Sequence, residues 1–312
     1  MINMVSEKRK LVILTGPTGV GKTKLSISLA KSIGGEIISA DSMQVYKHMD
    51  IGSAKIKNEE MEDIPHYLVD VLEPSEDFHV VAFQKLAKEY MEKIYQKGKI
   101  PILVGGTGFY IQSVLYDIDF SETPKTEYRS YLEQLAEVNG VQHVHDMLAS
   151  VDQDAADQIH PNNVKRVIRG LEFFRETGEK ISIHNQKERE KESMYDSYYF
   201  VLNDDRKALY QRIDQRVDMM IEDGLVEEVA RLKDMGYNKT FVSMQGLGYK
   251  EVLSYLDDDI TLEEAVYMIK RDTRHFAKRQ LTWFKREKNV IWIDKQNFTN
   301  NDDIVKFMVD KI

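Results

Sequence analysis

The sequence predicts an α/β protein, a doubly wound parallel sheet core with an inserted all-helical domain. Two observations carry this. Short apolar β-rich runs alternate with amphipathic helical patterns along both ends of the chain. The alternation stops near Asp117 and resumes near Ser197, with only helical periodicity between them. The expected boundaries are 1–117 together with 197–312 for the core and 118–196 for the insertion. A chain of 312 residues has room for one large domain or two modest ones.

Taken in order, KLVILT, EIISAD, HYLVDVL, IPILVGG, SYYFVLN and NVIWIDK read as strands. Several are continuously apolar, as strands buried on both faces of a parallel sheet are. TKLSISLAKSI and FHVVAFQKLAKEYMEKIYQKG read as helices, the second closed by Gly98. In the insertion, TEYRSYLEQLAEV, VQHVHDMLASV and NVKRVIRGLEFFRETG are the helical segments. The last starts after His-Pro-Asn-Asn and ends at Gly178. The charged run KEREKE from Lys187 to Glu192 reads as a solvated helix end or connector.

Composition narrows the function. The net charge is -9, which by itself points away from nucleic acid, although patches matter more than averages. There is no cysteine, which excludes disulfides, thiol nucleophiles and Cys-ligated zinc. The opening MINMVSEKRK turns charged before any leader-length apolar run, and no stretch nears the roughly 18 apolar residues of a membrane span. A soluble cytoplasmic protein that engages no membrane is expected.

The most specific motif is Gly16-Pro17-Thr18-Gly19-Val20-Gly21-Lys22-Thr23, a G-x-x-x-x-G-K-[ST] phosphate loop between a strand and a helix. Its glycines let backbone N–H groups converge on anionic oxygens at the positive end of the helix. Lys22 reaches the terminal phosphate and Thr23 can hold Mg²⁺. The core is therefore P-loop NTPase-like. A phosphoryl-transfer enzyme usually adds a strand ending in a Mg²⁺-organising Asp. The run IPILVGGTGFYIQ ends instead in Gly105-Gly106-Thr107-Gly108, and Asp70 of HYLVDVL lies inside its run. This favours gripping a diphosphate over transferring a phosphoryl group.

EIISA runs into Asp41-Ser42-Met43-Gln44, and strand carboxyl ends face the ligand crevice in such sheets. Asp41 is either an Asx turn closing the strand or a general base or Mg²⁺ partner. Gln44 has an amide that can read a purine edge. In LYQRIDQRVDMMIEDGLVEEV, Arg212 and Arg216 lie one turn apart beside an apolar stripe of Leu209, Ile213, Val217, Met220 and Ile221. Spacing alone leaves them between solvated ion pairs and function. Thr107 is likewise a turn hydroxyl or a ligand contact.

Two segments are basic despite the acidic total. KRDTRHFAKRQLTWFKREK, residues 270–288, holds Lys270, Arg271, Arg274, Lys278, Arg279, Lys285, Arg286 and Lys288 interleaved with Phe276, Trp283 and Phe284. Cations hold phosphates and aromatics stack on bases, although Trp283 and Phe284 read as core. On the insertion's last helix, Lys165, Arg166 and Arg169 share one side, with Val164, Val167, Ile168 and Leu171 on the other.

In combination the chain resembles the tRNA dimethylallyltransferase (IPP transferase) family. GPTGVGKT, DSMQVYKHMDIGSAK, VGGTGFYI, HPNNVKRVIRGLEFF, MQGLGYKE and RHFAKRQLTWFK occur in the family's order along nearly the whole chain. The resemblance implies transfer of a dimethylallyl group from dimethylallyl diphosphate to N6 of adenine-37 in tRNAs reading codons that begin with U. It implies Asp41, Thr107 and Arg216 as catalytic residues, the phosphate loop as the diphosphate grip, and Mg²⁺ at Thr23. The tRNA contacts it implies are Asp41, Ser42, Met43, Gln44, Thr107, Arg129, Lys165, Arg166, Val167, Ile168, Arg169, Gln245, Arg274, Lys278 and Arg279. A monomer is implied, with the target adenine flipped toward Asp41. Eukaryotic members add a Cys/His zinc finger; without cysteine, and with His143 and His145 on different sides of their helix, no zinc site is expected.

Three other readings compete. A P-loop small-molecule kinase does not account for DSMQVY, the GGTG run or the basic aromatic stretch. A prenyltransferase acting on free adenylate needs no basic helical insertion. A non-catalytic RNA-binding module needs no phosphate loop aimed at a strand-end acid.

Overall fold

The computed structural model describes residues 8–120 and 127–312. Met1–Glu7, where a leader would begin, and Thr126, the first residue of the helix expected at TEYRSYLEQLAEV, lie outside them.

The chain begins with β1 (Lys10–Thr15), α1 (Lys22–Ile33), β2 (Gly35–Ser39), β3 (His66–Tyr67), α2 (Val80–Gln96), β4 (Ile100–Gly105) and α3 (Gly108–Leu115). Five helices follow: α4 (Glu127–Asn139), α5 (Val141–Val151), α6 (Gln153–Gln158), α7 (Val164–Thr177) and α8 (Ile181–Glu190). It closes with β5 (Asp196–Asn203), α9 (Arg206–Glu222), α10 (Leu225–Asp234), α11 (Tyr249–Leu256), α12 (Leu262–Phe284), β6 (Val290–Asp294) and α13 (Asn301–Val309).

The six strands form one all-parallel sheet in the order β3-β2-β4-β1-β5-β6. β1 is central, with Leu14 level with Val104 of β4 on one side and Phe200 of β5 on the other. The chain builds one side of β1 first and then crosses to the other. That reversal opens a crevice at the carboxyl ends of the strands, where ligands of such sheets bind. The continuously apolar strands are the reason for the parallel form: Leu11, Val12, Ile13 and Leu14 are all 0% exposed. The core beneath the crevice packs Val12, Leu14, Leu25, Leu29, Ile102, Phe200 and Leu202.

All six expected strands form, but HYLVDVL is corrected in extent. β3 ends after Tyr67 because Leu68 and Asp70 have φ of 61° and 57°, a left-handed backbone that no strand accommodates, and only Leu72 pairs again, in an isolated parallel bridge with Tyr46. The apolar residues suit burial there as well as pairing: Leu68 is fully buried in the loop. FYIQ, at the end of the GGTG run, is helical rather than extended and belongs to α3.

The chain divides into two compact units, one running to Leu115 and resuming at Met194, the other Tyr116–Ser193. The second is all-helical. Leu132, Val144, Leu148, Val167, Ile168 and Leu171 form its core. Two of its helices were not legible as periodic runs. α6 is only six residues long and starts where Asp152 accepts the Ala155 N–H at 3.1 Å. α8 is mostly polar and takes in the first part of the KEREKE run.

Candidate active site

β1 delivers the phosphate loop to the crevice. Thr15 Oγ1, at its last residue, donates to the Gly105 carbonyl at 2.6 Å and fixes the ends of β1 and β4 together. The chain turns through Gly16–Gly21 into α1, with Gly19 and Gly21 at φ 79° and 95°, which side-chain-bearing residues rarely adopt. No acidic residue stands in the first turn of α1, so its positive end is unopposed. From outside the loop, Arg212 Nε donates to the Gly19 carbonyl and Lys295 Nζ to the Val20 carbonyl, each at 3.1 Å. Carbonyls tied outward leave the loop's N–H groups for an anion.

Lys22 Nζ donates to the Gly16 and Pro17 carbonyls at 2.9 and 3.0 Å. Burial draws its pKa down to about 8; Asp41 opposes that shift and Arg216 adds to it. The acid after β2 and the α9 arginine thus both act on the loop lysine.

Asp41 Oδ1 accepts the Met43 N–H at 2.8 Å and the Gln44 N–H at 3.4 Å, so it does close an Asx turn. Among the described residues Oδ2 has no hydrogen bond, so the turn holds the carboxylate in place and leaves one oxygen for chemistry. Gln44 is oriented by the protein: Ser39 Oγ donates to its Oε1 and its Nε2 donates to the Ala54 carbonyl, both at 3.3 Å. Thr107 follows β4, and its N–H donates to the Ala40 carbonyl at 3.3 Å. Ala40 immediately precedes Asp41, so Thr107 and Asp41 share one rim of the crevice.

α9 separates its two arginines. Arg212 pairs with Asp204 at 2.7 Å besides holding Gly19, and is a loop support. Arg216 is half-buried, and burial, then Arg212, lowers its pKa. No carboxylate or hydrogen-bond acceptor meets Arg216 among the described residues. A desolvated guanidinium without an acid suits an anionic ligand.

Thr23 is exposed at the start of α1, and its hydroxyl has no hydrogen bond among the described residues. No group of three or more His, Cys, Asp or Glu able to hold a metal occurs among them either. One hydroxyl beside an anion site and no carboxylate cage fits Mg²⁺ carried on substrate phosphates.

The residues expected to meet RNA fall into three groups. On α12, Lys278 and Arg279 are exposed and line an open groove with His275, Thr282, Trp283 and Arg286. Arg274 instead pairs with Asp214 of α9. Phe284 is core as expected, while Trp283 is only half-buried. Gln245 is exposed and donates to the Lys239 carbonyl, beside Gly246, whose Cα faces the Met43 thioether. On α7, Lys165 and Arg166 are exposed and Arg169 is half-exposed. Val167 and Ile168, at 1% and 3% exposure, pack their side chains in the core of the helical unit. Arg129 clasps the buried Glu172 carboxylate through Nε at 3.0 Å and Nη2 at 2.6 Å, which is a structural task. His145 Nε2 bonds the Ala156 and Ile159 carbonyls at 3.0 and 2.9 Å, a packing role.

Two supports escaped the sequence reading. Glu228, 2% exposed, accepts the N–H groups of Asp50, Ile51 and Gly52 at 2.9, 2.8 and 3.1 Å and the Tyr249 hydroxyl at 2.8 Å. It ties the loop after Gln44 to the GLGYKE segment. Its signal was a carboxylate on the apolar stripe of Leu225, Val229 and Leu232. Lys55 is the second: its Nζ joins the Tyr46 carbonyl, Asp50 and Asp70, each at 2.6 Å.

Comparison with known proteins finds relatives along nearly the whole chain. The IPP transferase family profile matches residues 44–287. A tRNA dimethylallyltransferase of Lachnoclostridium phytofermentans is 62% identical over 300 residues, 96% of each chain. The full-length tRNA isopentenylpyrophosphate transferase of Bacillus halodurans is 44% identical, with 97% of each chain covered and a TM-score of 0.73. The tRNA isopentenylpyrophosphate transferase of Staphylococcus epidermidis is 41% identical, covering 97% of this chain and 99% of that one, with a TM-score of 0.72. A eukaryotic dimethylallyltransferase acting on tRNA is 30% identical, covering 97% of this chain and 79% of that one, with a TM-score of 0.82.

Proposed function

The chain belongs to the IPP transferase family, and on that premise we propose how its residues divide the work of moving a dimethylallyl group onto tRNA. Its activity is that of a tRNA dimethylallyltransferase. The observation that supports the residue roles is that Asp41 and Arg216 both act on Lys22 at the phosphate loop.

Dimethylallyl diphosphate lays its diphosphate on the N–H groups of Gly19, Gly21, Lys22 and Thr23, at the positive end of α1. Lys22 and Arg216 neutralise the charge that grows on the diphosphate as it leaves. Thr23 would hold a Mg²⁺ that shares this neutralisation. The exocyclic N6 of adenine-37 attacks C1 of the dimethylallyl group; the C–O bond to diphosphate breaks and a C–N bond forms. N6 is a poor nucleophile because its lone pair is delocalised into the ring. Asp41 Oδ2 accepts the N6 proton as the bond forms, giving N6-(dimethylallyl)adenosine and diphosphate. Thr107, on the same rim, orients the amine. The adenine leaves the anticodon-loop stack to reach this rim. Lys278 and Arg279 on α12, and Lys165, Arg166 and Arg169 on α7, hold tRNA phosphates.

The test separates binding from chemistry. Asp41→Ala is expected to bind labelled dimethylallyl diphosphate normally and to transfer it to unmodified tRNA about 10²–10⁴-fold more slowly. Arg216→Ala is expected to lose about 10²–10³-fold in turnover. Wild-type turnover in Asp41→Ala would remove the general-base assignment. Transfer to AMP as fast as to tRNA would favour the free-nucleotide class.

A further inference from the structure

We propose that Gln280 is a positioning residue for the transfer reaction, its carboxamide setting the spacing between the phosphate loop and the Thr107 turn. The proposal rests on the reading that these two segments hold the donor and the amine.

α12 buries Ala265, Ile269, Ala277, Gln280 and Phe284 on one stripe. Gln280 is the polar member and is 6% exposed. Its Oε1 accepts the Thr18 N–H at 2.9 Å and its Nε2 donates to the Gly106 carbonyl at 3.0 Å. One amide therefore joins the phosphate loop to the residue before Thr107. Reversing the amide would set N–H against N–H and oxygen against oxygen, so the partners fix its orientation. A buried amide satisfied at both ends makes a stiff spacer, and an unsatisfied one is costly.

Gly106 is shaped for this contact. A Cβ there would fall 2.1 Å from Gln280 Nε2, whereas the nearest atom of any other residue, the Gly16 carbonyl oxygen, is 3.6 Å away. Three residues along the same face of α12, Trp283 lies on Gly108 in the same way, with its indole Cδ1 2.3 Å from a Cβ built there. The helix thus presses on both flanks of Thr107. Misplacement of reacting groups by about 1 Å can cost about 10²-fold in rate, so the spacer bears directly on chemistry.

The experiment compares wild type, Gln280→Ala, Gly106→Ala and the double variant. For each it measures the single-turnover transfer rate, the Kd for inorganic pyrophosphate and the Tm. Gln280→Ala is expected to transfer about 10–100-fold more slowly. Its pyrophosphate Kd is expected to stay within about threefold of wild type, because the loop N–H groups remain. Gly106→Ala is expected to lose a similar factor by pushing the carboxamide aside. In the Gln280→Ala background the same methyl group meets the Gly16 carbonyl oxygen only at ordinary contact distance, so the double variant is expected to match Gln280→Ala rather than multiply the two losses. Full rate in Gln280→Ala, multiplied losses in the double variant, or a rate that falls only in step with pyrophosphate binding or Tm would each overturn the proposal. If Gln280→Ala does not fold, a folded Gly106→Ala that is slow with normal pyrophosphate binding supports it, and one at full rate overturns it. Failure of the site reading looks different: wild type would then not bind pyrophosphate, or Asp41→Ala would transfer normally.

Discussion

At the residue scale, the site turns on charges kept partly dry. Lys22 has a pKa of about 8 because burial disfavours its ammonium form, with Asp41 restoring some of that loss. A bound diphosphate favours the charged form, so binding takes up a proton wherever the free lysine has lost one. Pyrophosphate affinity should therefore fall as pH rises above about 8, by at most about tenfold per pH unit from this group. Lys22→Arg should flatten that part of the profile, because a guanidinium stays charged. Calorimetry in two buffers of different ionisation heat reads the proton uptake directly. No uptake at pH 9 in wild type would show that Lys22 does not face the diphosphate. The motif made Lys22 legible in the sequence, whereas the division between Arg212 and Arg216 was not. Both arginines sit one turn apart on the same helix, and only the fold shows Arg212 occupied by Asp204 and Gly19.

At the element scale, buried carboxylates pin neighbouring segments of the α/β unit together. Glu36 on β2 is held by Lys97 and Lys99, each at 2.8 Å, and by the Tyr67 hydroxyl at 2.7 Å. Burial pushes its pKa up, but the two lysines and the tyrosine outweigh that and bring it down to about 2. A depressed acid contributes stability that is full above its ordinary value near 4.5 and is lost as pH falls through about 2. Glu36→Gln should cost about 2–3 kcal/mol in urea unfolding at pH 7, and much less near pH 2. An equal cost at both pH values would mean the carboxylate charge is irrelevant. Glu228→Gln replaces an acceptor of N–H and O–H groups with an NH₂ facing donors. It should cost about 3 kcal/mol and slow transfer by loosening the loop that orients Gln44. Normal stability and rate in this variant would refute the anchoring role. Strands were legible here because apolar runs of their length have few other uses in a parallel sheet. The early end of β3 was not, because Leu68 and Asp70 adopt a left-handed backbone that neither side chain announces.

At the scale of the whole molecule, the two units carry different tasks. The α/β unit holds every residue assigned to the diphosphate and the reacting amine. The helical unit presents Lys165, Arg166 and Arg169 on the face of α7 opposite its core. Reversing these three charges to Glu should weaken tRNA binding and reduce the salt slope by about one for each phosphate no longer neutralised, with pyrophosphate binding unchanged. An unchanged salt slope would remove α7 from the RNA surface. The pattern of apolar and charged residues on α7 was readable as a helix face, but Val167 and Ile168 show its limit. A motif marks a segment, and the 3.6-residue period decides which side chains of that segment reach a ligand. Arg129 shows the same limit: nothing near it in sequence reveals Glu172, its partner 43 positions away.

The residue roles all depend on the phosphate loop gripping a prenyl diphosphate and not a nucleotide to be cleaved. The most direct measurement is equilibrium binding of labelled dimethylallyl diphosphate to wild type and to Lys22→Ala, with excess ATP as competitor and ATP breakdown followed in the same tubes. Wild type is expected to bind the donor, Lys22→Ala to lose that binding by at least about tenfold, and neither to turn over ATP without the prenyl donor. Undiminished binding by Lys22→Ala, or ATP breakdown in the absence of donor, would contradict this expectation.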